Sequence, residues 1–159
     1  MPKNRTDITA KKNALEVAVF LSPDLRRRSL GRLSLPAIEQ AAALFLLRRG
    51  VRSAALSLVF VTGRAIRKIN REHLGHDYVT DIVTFDLRGR GSVAFEGELV
   101  ICPAQARRNA CAFGEPFERE ILRYVAHGIL HLLGQDDTTE KERLAMRKEE
   151  DKLLALIWP

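Results

Sequence analysis

The stretch His127-Gly128-Ile129-Leu130-His131-Leu132-Leu133-Gly134-Gln135-Asp136-Asp137 decides how this chain is read. Apolar residues surround two histidines four positions apart, and a glycine then breaks the pattern ahead of a pair of carboxylates. On a helix, residues at that spacing stand about 40° apart and roughly one turn along, so both imidazoles can meet one ion. Gly134 is a helix stop, and the reversal it allows brings Asp136 or Asp137 back toward the histidines as a third ligand. Three protein ligands and an open fourth position are the arrangement of a catalytic ion, whereas a structural ion is usually closed in by four. Gly128 stands where the helical peptidase pattern H-E-x-x-H carries its glutamate, so the general base of a zinc peptidase is missing.

Upstream of this segment the chain alternates strand-like and helix-like stretches. Ala14 to Leu21 alternates and is rich in β-formers, which predicts a first strand. Pro23 to Arg32 is a basic connector containing Arg26-Arg27-Arg28. Ser34 is placed to cap a helix from Pro36 to Arg49 that stops at Gly50, and Ala55 to Val61 reads as a second strand buried on both faces. Strand, helix, strand implies a parallel pair with a right-handed crossover. Thr62 caps a short helix, Arg64 to Glu72, on which Arg64, Arg67, Lys68 and Arg71 recur at helical spacing. Asp81 to Leu87 and Glu98 to Cys102 read as strands on either side of the turn Arg88-Gly89-Arg90-Gly91. Pro103 begins a helix ending near Gly114, Pro116 begins the metal helix, and Thr139 to Ile157 forms a charged last helix. The expectation is an α+β fold: a small mixed four-stranded sheet packed with about five helices, with the metal site at a helix end.

At 159 residues, 46% of them hydrophobic and 29% charged, the composition is that of one globular domain spanning 1–159, with 1–13 polar and flexible. The longest apolar runs are too short to span a bilayer, the polar start Met1-Pro2-Lys3-Asn4-Arg5 lacks the pattern of a secretory signal, and no membrane role is expected. Cys102 and Cys111 cannot form a disulfide framework, so a reducing, cytoplasmic location is expected and both read as small buried apolar residues. Twenty-six basic against 20 acidic residues give a net charge of +6, which favours polyanionic partners, nucleic acid first.

The residues resemble a known family, the bacterial YbeY-type rRNA-maturation endoribonucleases, whose signature is H-G-x-L-H-L-x-G-Y-D-H. His127, Gly128, Leu130, His131, Leu132, Gly134 and Asp136 agree with it, while Gln135 replaces its Tyr and Asp137 its third His. Ile69-Asn70-Arg71-Glu72 is similar to the opening of the family's L-N-x-x-Y-R, and Thr80-Asp81-Ile82-Val83-Thr84-Phe85 to its T-D-V-L-S-F-P. Gly97-Glu98-Leu99-Val100-Ile101 is similar to G-D-I-x-I-S, and Phe117-Glu118-Arg119-Glu120 to F-x-R-E, so the likeness covers residues 69 to 154 in order.

The resemblance implies a metal-dependent, single-strand-specific endoribonuclease acting in small-subunit rRNA maturation and ribosome quality control. Its partners would be rRNA and the small ribosomal subunit or assembly factors. It assigns His127, His131 and Asp137 to one divalent ion, zinc first, with iron, manganese or nickel as alternatives because two histidines and a carboxylate also suit iron. The attacking group would be a water on the ion. The family's Y-R pair, whose arginine is functional, falls on His73-Leu74, and a leucine cannot hold a phosphate. Arg71 and His76 become the substitute catalytic candidates, and Arg67, Lys68 and Arg71 the RNA-binding ones. Two further readings remain: a noncatalytic ribosome-assembly factor that retains the metal fold, and a metal-dependent hydrolase of another substrate.

Overall fold

A computed structural model describes residues 14–92 and 94–158. The expected flexibility of 1–13 lies outside the described residues. The strands are β1 (Leu15–Leu21), β2 (Ala54–Phe60), β3 (Ile82–Asp86) and β4 (Phe95–Ile101). The helices are α1 (Leu35–Arg48), α2 (Gly63–Leu74), α3 (Pro103–Phe113), α4 (Phe117–Leu132) and α5 (Glu140–Leu154). The sheet order is β1-β2-β4-β3, with β1, β2 and β4 mutually parallel and β3 antiparallel to β4 along one edge.

Local chemistry accounts for most of the boundaries. The Ser34 hydroxyl accepts from the Ala37 amide and Thr62 from Ala65, which caps α1 and α2 as their positions in the sequence predict. On α1 the buried positions Ile38, Ala41, Ala42, Phe45 and Leu46 follow the 3.6-residue period; the helix lies against β1 and α4, and these residues share one core with the alternate β2 residues Ala54, Leu56, Leu58 and Phe60. Helix α4 lies on the same side, over β3 and β4, with α3 and α5 packed along it. On the opposite side Val83 and Val100, paired across β3 and β4, meet Ile66 of α2.

Three expectations need correction. β2 is not buried on both faces: Ala55 is exposed and Ser57 and Val59 half-buried, because α2 covers only the β3 half of that side. β4 begins at Phe95, three residues before the expected start, since its parallel pairing with β2 runs from Ala54↔Phe95. The basic connector contains a 3-10 turn, Arg27–Leu30, with Leu30 fully buried.

Two glycines set the depth at which α4 sits. A Cβ on Gly128 would stand 2.6 Å from Leu99 Cδ2 and 2.8 Å from Ile82 Cδ1, and one on Gly97 would stand 2.6 Å from Leu132 Cδ1. Helix and strand therefore touch backbone to side chain at both points, which fixes the height of the two histidines above the sheet. Gly128→Ala is expected to cost about 1–3 kcal/mol through overpacking against a fully buried Leu99. Denaturant unfolding measures it, and a change below about 0.5 kcal/mol would mean that α4 can rise freely.

Candidate metal centre

Helix α4 ends as the glycine predicted. Gly134 has φ +92°, the Gly134 amide donates to the His131 carbonyl at 2.9 Å, and the Gln135 amide donates to Leu130 at 3.0 Å. This is a Schellman closure, which turns the chain back over its own last turn. The far end of the loop is fixed by α5: Thr139 and Glu142 form a reciprocal capping box, and Arg143 Nη1 donates to the Thr138 carbonyl at 2.9 Å. Asp137 is held between those two anchors.

The result is a convergence of three ligand atoms. His127 Nε2 and His131 Nε2 are 3.0 Å apart, and Asp137 Oδ2 is 3.6 Å from the first and 3.5 Å from the second. Tetrahedral zinc with nitrogen and oxygen ligands separates its ligand atoms by about 3.3 Å, so the triangle has the size such an ion needs. Among the described residues these three form the one group of three or more His, Cys, Asp or Glu side chains that could hold a metal ion. Their side chains are 23%, 25% and 38% exposed, so the centre is open to solvent on one side. Asp136 is exposed and outside the cluster, so it is Asp137 that the fold brings to the two histidines.

Behind the histidines lies a buried charge network. His127 Nδ1 donates to Glu150 Oε1 at 2.7 Å, which leaves Nε2 with its lone pair toward the other ligands. Burial pulls the His127 imidazolium down, but the Glu150 hydrogen bond and charge, with Asp137 and Asp81, outweigh it and raise its pKa above the ordinary value. Glu150 is held in turn by Arg123 Nη1 at 3.0 Å, and Arg123 Nη2 also meets Asp151 at 2.9 Å. Glu120, 3.9 Å from Arg123 Nε, is pushed up by burial more than Arg123 and Arg147 pull it down. Arg123, His127 and His131 form an i, i+4, i+8 stripe along α4, and Glu150 occupies a buried position of α5 beside Met146, Leu153 and Leu154. A charged residue within an otherwise apolar stripe of α5 is the one sign of Glu150 in the sequence, and the histidine spacing does not point to it.

The loop after β3 braces the same helix end. Arg88 Nη2 donates to the Leu132 carbonyl at 2.8 Å and is itself gripped by Asp86, whose carboxyl Arg88 holds down to about 2. Asp86, which replaces a proline of the family pattern, thus helps tie β3 to the C-terminal end of α4.

The other sequence candidates are not in the cluster. Arg67 forms a two-bonded pair with Asp77 at 2.9 and 3.2 Å, Arg71 lies 4.0 Å from the same carboxylate, and Lys68 lies 4.0 Å from Glu72. With Arg64 these side chains border a surface groove of about 590 Å³. His76 stacks on Tyr78, and His73 packs edge-on against Phe85. Leu74 is 53% exposed. Asn70 is buried and donates to the Tyr78 carbonyl at 3.0 Å, so it shapes the loop after α2. Cys102 is buried as expected, but Cys111 is exposed on α3.

Fold and cluster together define an α+β protein with a solvent-open site suited to one divalent ion. The chain belongs to the endoribonuclease YbeY family, whose model matches residues 27–157. It is 42% identical over 120 residues to an endoribonuclease YbeY of Chlorobium phaeovibrioides, covering 76% of this chain and 80% of that one. It is 41% identical over 106 residues to that of Elusimicrobium minutum, covering 64% and 73%. The solution structure of TM1509 from Thermotoga maritima superposes with a TM-score of 0.63 at 25% identity, covering 89% of each chain. Among the described residues no helix is long and apolar enough to cross a membrane.

Proposed function

We propose that this chain is a metal-dependent endoribonuclease of single-stranded RNA, acting as one domain in the cytoplasm on small-subunit rRNA. His127, His131 and Asp137 hold its one divalent ion, and zinc is the ion. The observation that carries the reading is the meeting of three ligand atoms at one solvent-open point on a member of this family. A divalent ion bound there supplies the Lewis acidity and water activation that phosphodiester hydrolysis needs.

The chain's own residues do the rest. Glu150 fixes the tautomer of His127 through Nδ1. Asp137 contributes a negative charge that three neutral histidines would not, so the centre is less cationic than the family pattern implies. Arg67, Lys68 and Arg71 orient the strand. Their ion pairs are half or more exposed and weak enough for a phosphate to displace. The small ribosomal subunit or its assembly factors present the RNA.

One observation favours a second reading, a noncatalytic assembly factor: exposed Leu74 stands where the family keeps its functional arginine. Purified, metal-quantified protein is offered labelled single-stranded RNA, duplex RNA and single-stranded DNA. Internal cleavage of the single-stranded RNA alone is expected, with affinity falling steeply as salt rises because phosphate contacts release counterions. RNA binding without cleavage under every divalent metal would leave the assembly-factor reading in its place.

A further inference from the structure

The 3-10 turn Arg27–Leu30 packs against α3, and between them lies a second groove, of about 630 Å³. We infer that this groove is a second contact for the phosphodiester backbone of single-stranded RNA, distinct from the α2 groove. The inference rests on the endoribonuclease reading above.

The fold brings together arginines that lie nearly eighty positions apart. Arg28 comes from the turn, and Arg107 and Arg108 from α3. Among the described residues no carboxylate lines this groove, whereas the α2 groove is bordered by Asp24 and its Arg67 and Arg71 are engaged by Asp77. Arg28 has no ion pair among the described residues. Among the described residues Arg108 donates only to the neutral Gln105 Oε1, at 3.2 and 2.8 Å. Arg107 stacks its guanidinium 4.1 Å above the Phe117 ring and also feels the Glu118 carboxylate, so the charge free for a ligand is that of Arg28 and Arg108. Positive charge left uncompensated on planar donor forks is what a run of phosphates recognises. The floor between the arginines is apolar, formed by Leu25, Pro103 and Ala104, and gives ribose and base edges a surface to lie on.

The groove lies on one flank of α3, and a cavity lined in part by His127 lies on another. Arg108 faces the groove, while its neighbour Asn109, about 100° further around the helix, lines the cavity that also holds His127. A hydrogen-bonded series joins the two flanks: Arg108 to Gln105, Gln105 Nε2 to Asn109 Oδ1 at 3.0 Å, and Asn109 Nδ2 to Tyr124 Oη at 2.5 Å. A strand that passes along the His127 cavity would meet the arginines by continuing around α3.

The groove carries its own reporter, since exposed Cys111 lines it while Cys102 is buried. Metal-loaded wild type and the double variant Arg28→Gln/Arg108→Gln are compared on single-stranded RNA, with thermal unfolding confirming that both are folded. The variant's KM should rise about tenfold, and the slope of log affinity against log salt should shrink by about 1.4, the loss of two phosphate contacts. RNA should slow alkylation of Cys111 by N-ethylmaleimide several-fold in wild type, and less in the variant at the same concentration. Unchanged KM, salt slope and Cys111 protection, with normal cleavage by wild type, would overturn the groove and leave the endoribonuclease reading intact. Wild type that neither binds nor cleaves RNA would overturn both. Protection of Cys111 by a polyglutamate peptide but not by RNA would overturn the inference in favour of an acidic protein partner.

Discussion

His131→Ala leaves the protein folded and strips it of its ion. The side chain is at the C-terminal end of α4, a quarter exposed, and outside the apolar core, so the unfolding free energy of the metal-free protein should change by less than about 1 kcal/mol. Metal affinity should fall by far more than the roughly 10–100-fold that loss of an outer-sphere partner costs, because a direct ligand is removed. Elemental analysis and RNA cleavage on the same preparation read both effects, and full metal content in the variant would contradict the helix-pair site. Metal uptake should also weaken in acid. The His127 pKa lies above 6.5, so protons compete with the ion at its imidazole as pH falls through that raised value. In the metal-free protein the sign is opposite: protonated His127 adds stability below its unfolded pKa, and that stability is lost as pH rises through the raised one.

Arg123→Leu should be the most destabilising single change in the account, at about 3–5 kcal/mol. The Arg123 side chain is 4% exposed and is the cation between Glu150 and Glu120, each 6% exposed. Its removal leaves two buried carboxylates without their main counter-charge, and one of them is the carboxylate that orients His127. Denaturant unfolding should show the loss of stability, and metal titration of the folded fraction should show affinity reduced by about 10–100-fold. A variant within 1 kcal/mol of wild type would mean that the network contributes nothing to the fold.

Much of this is legible in the sequence itself. The Ser34 and Thr62 caps, the histidine pair and the Gly134 closure are local events, each decided by a few adjacent residues, and each stands where its spacing placed it. What escaped was non-local. Glu150 comes from a helix 23 positions beyond His127, and nothing short of the α4–α5 packing shows that it meets Nδ1. Asp77 neutralises Arg67 and Arg71 only because the loop after α2 folds back, which the helical spacing of the basic residues cannot reveal. Asp86 anchors Arg88 on the Leu132 carbonyl, a contact between the end of β3 and the end of α4 that no local pattern announces. Cys111 reads as buried because cysteine is a small apolar residue, but its flank of α3 faces the groove rather than the core.

The central claim is that one ion, held by His127, His131 and Asp137, carries the cleavage of single-stranded RNA. It is tested most directly by stripping the protein with a chelator and titrating zinc back while the cleavage rate is followed. The account predicts no cleavage in the stripped protein, a linear recovery that saturates at one ion per chain, and no recovery in His131→Ala. Undiminished cleavage by the stripped wild type, or equal recovery in His131→Ala, would contradict it.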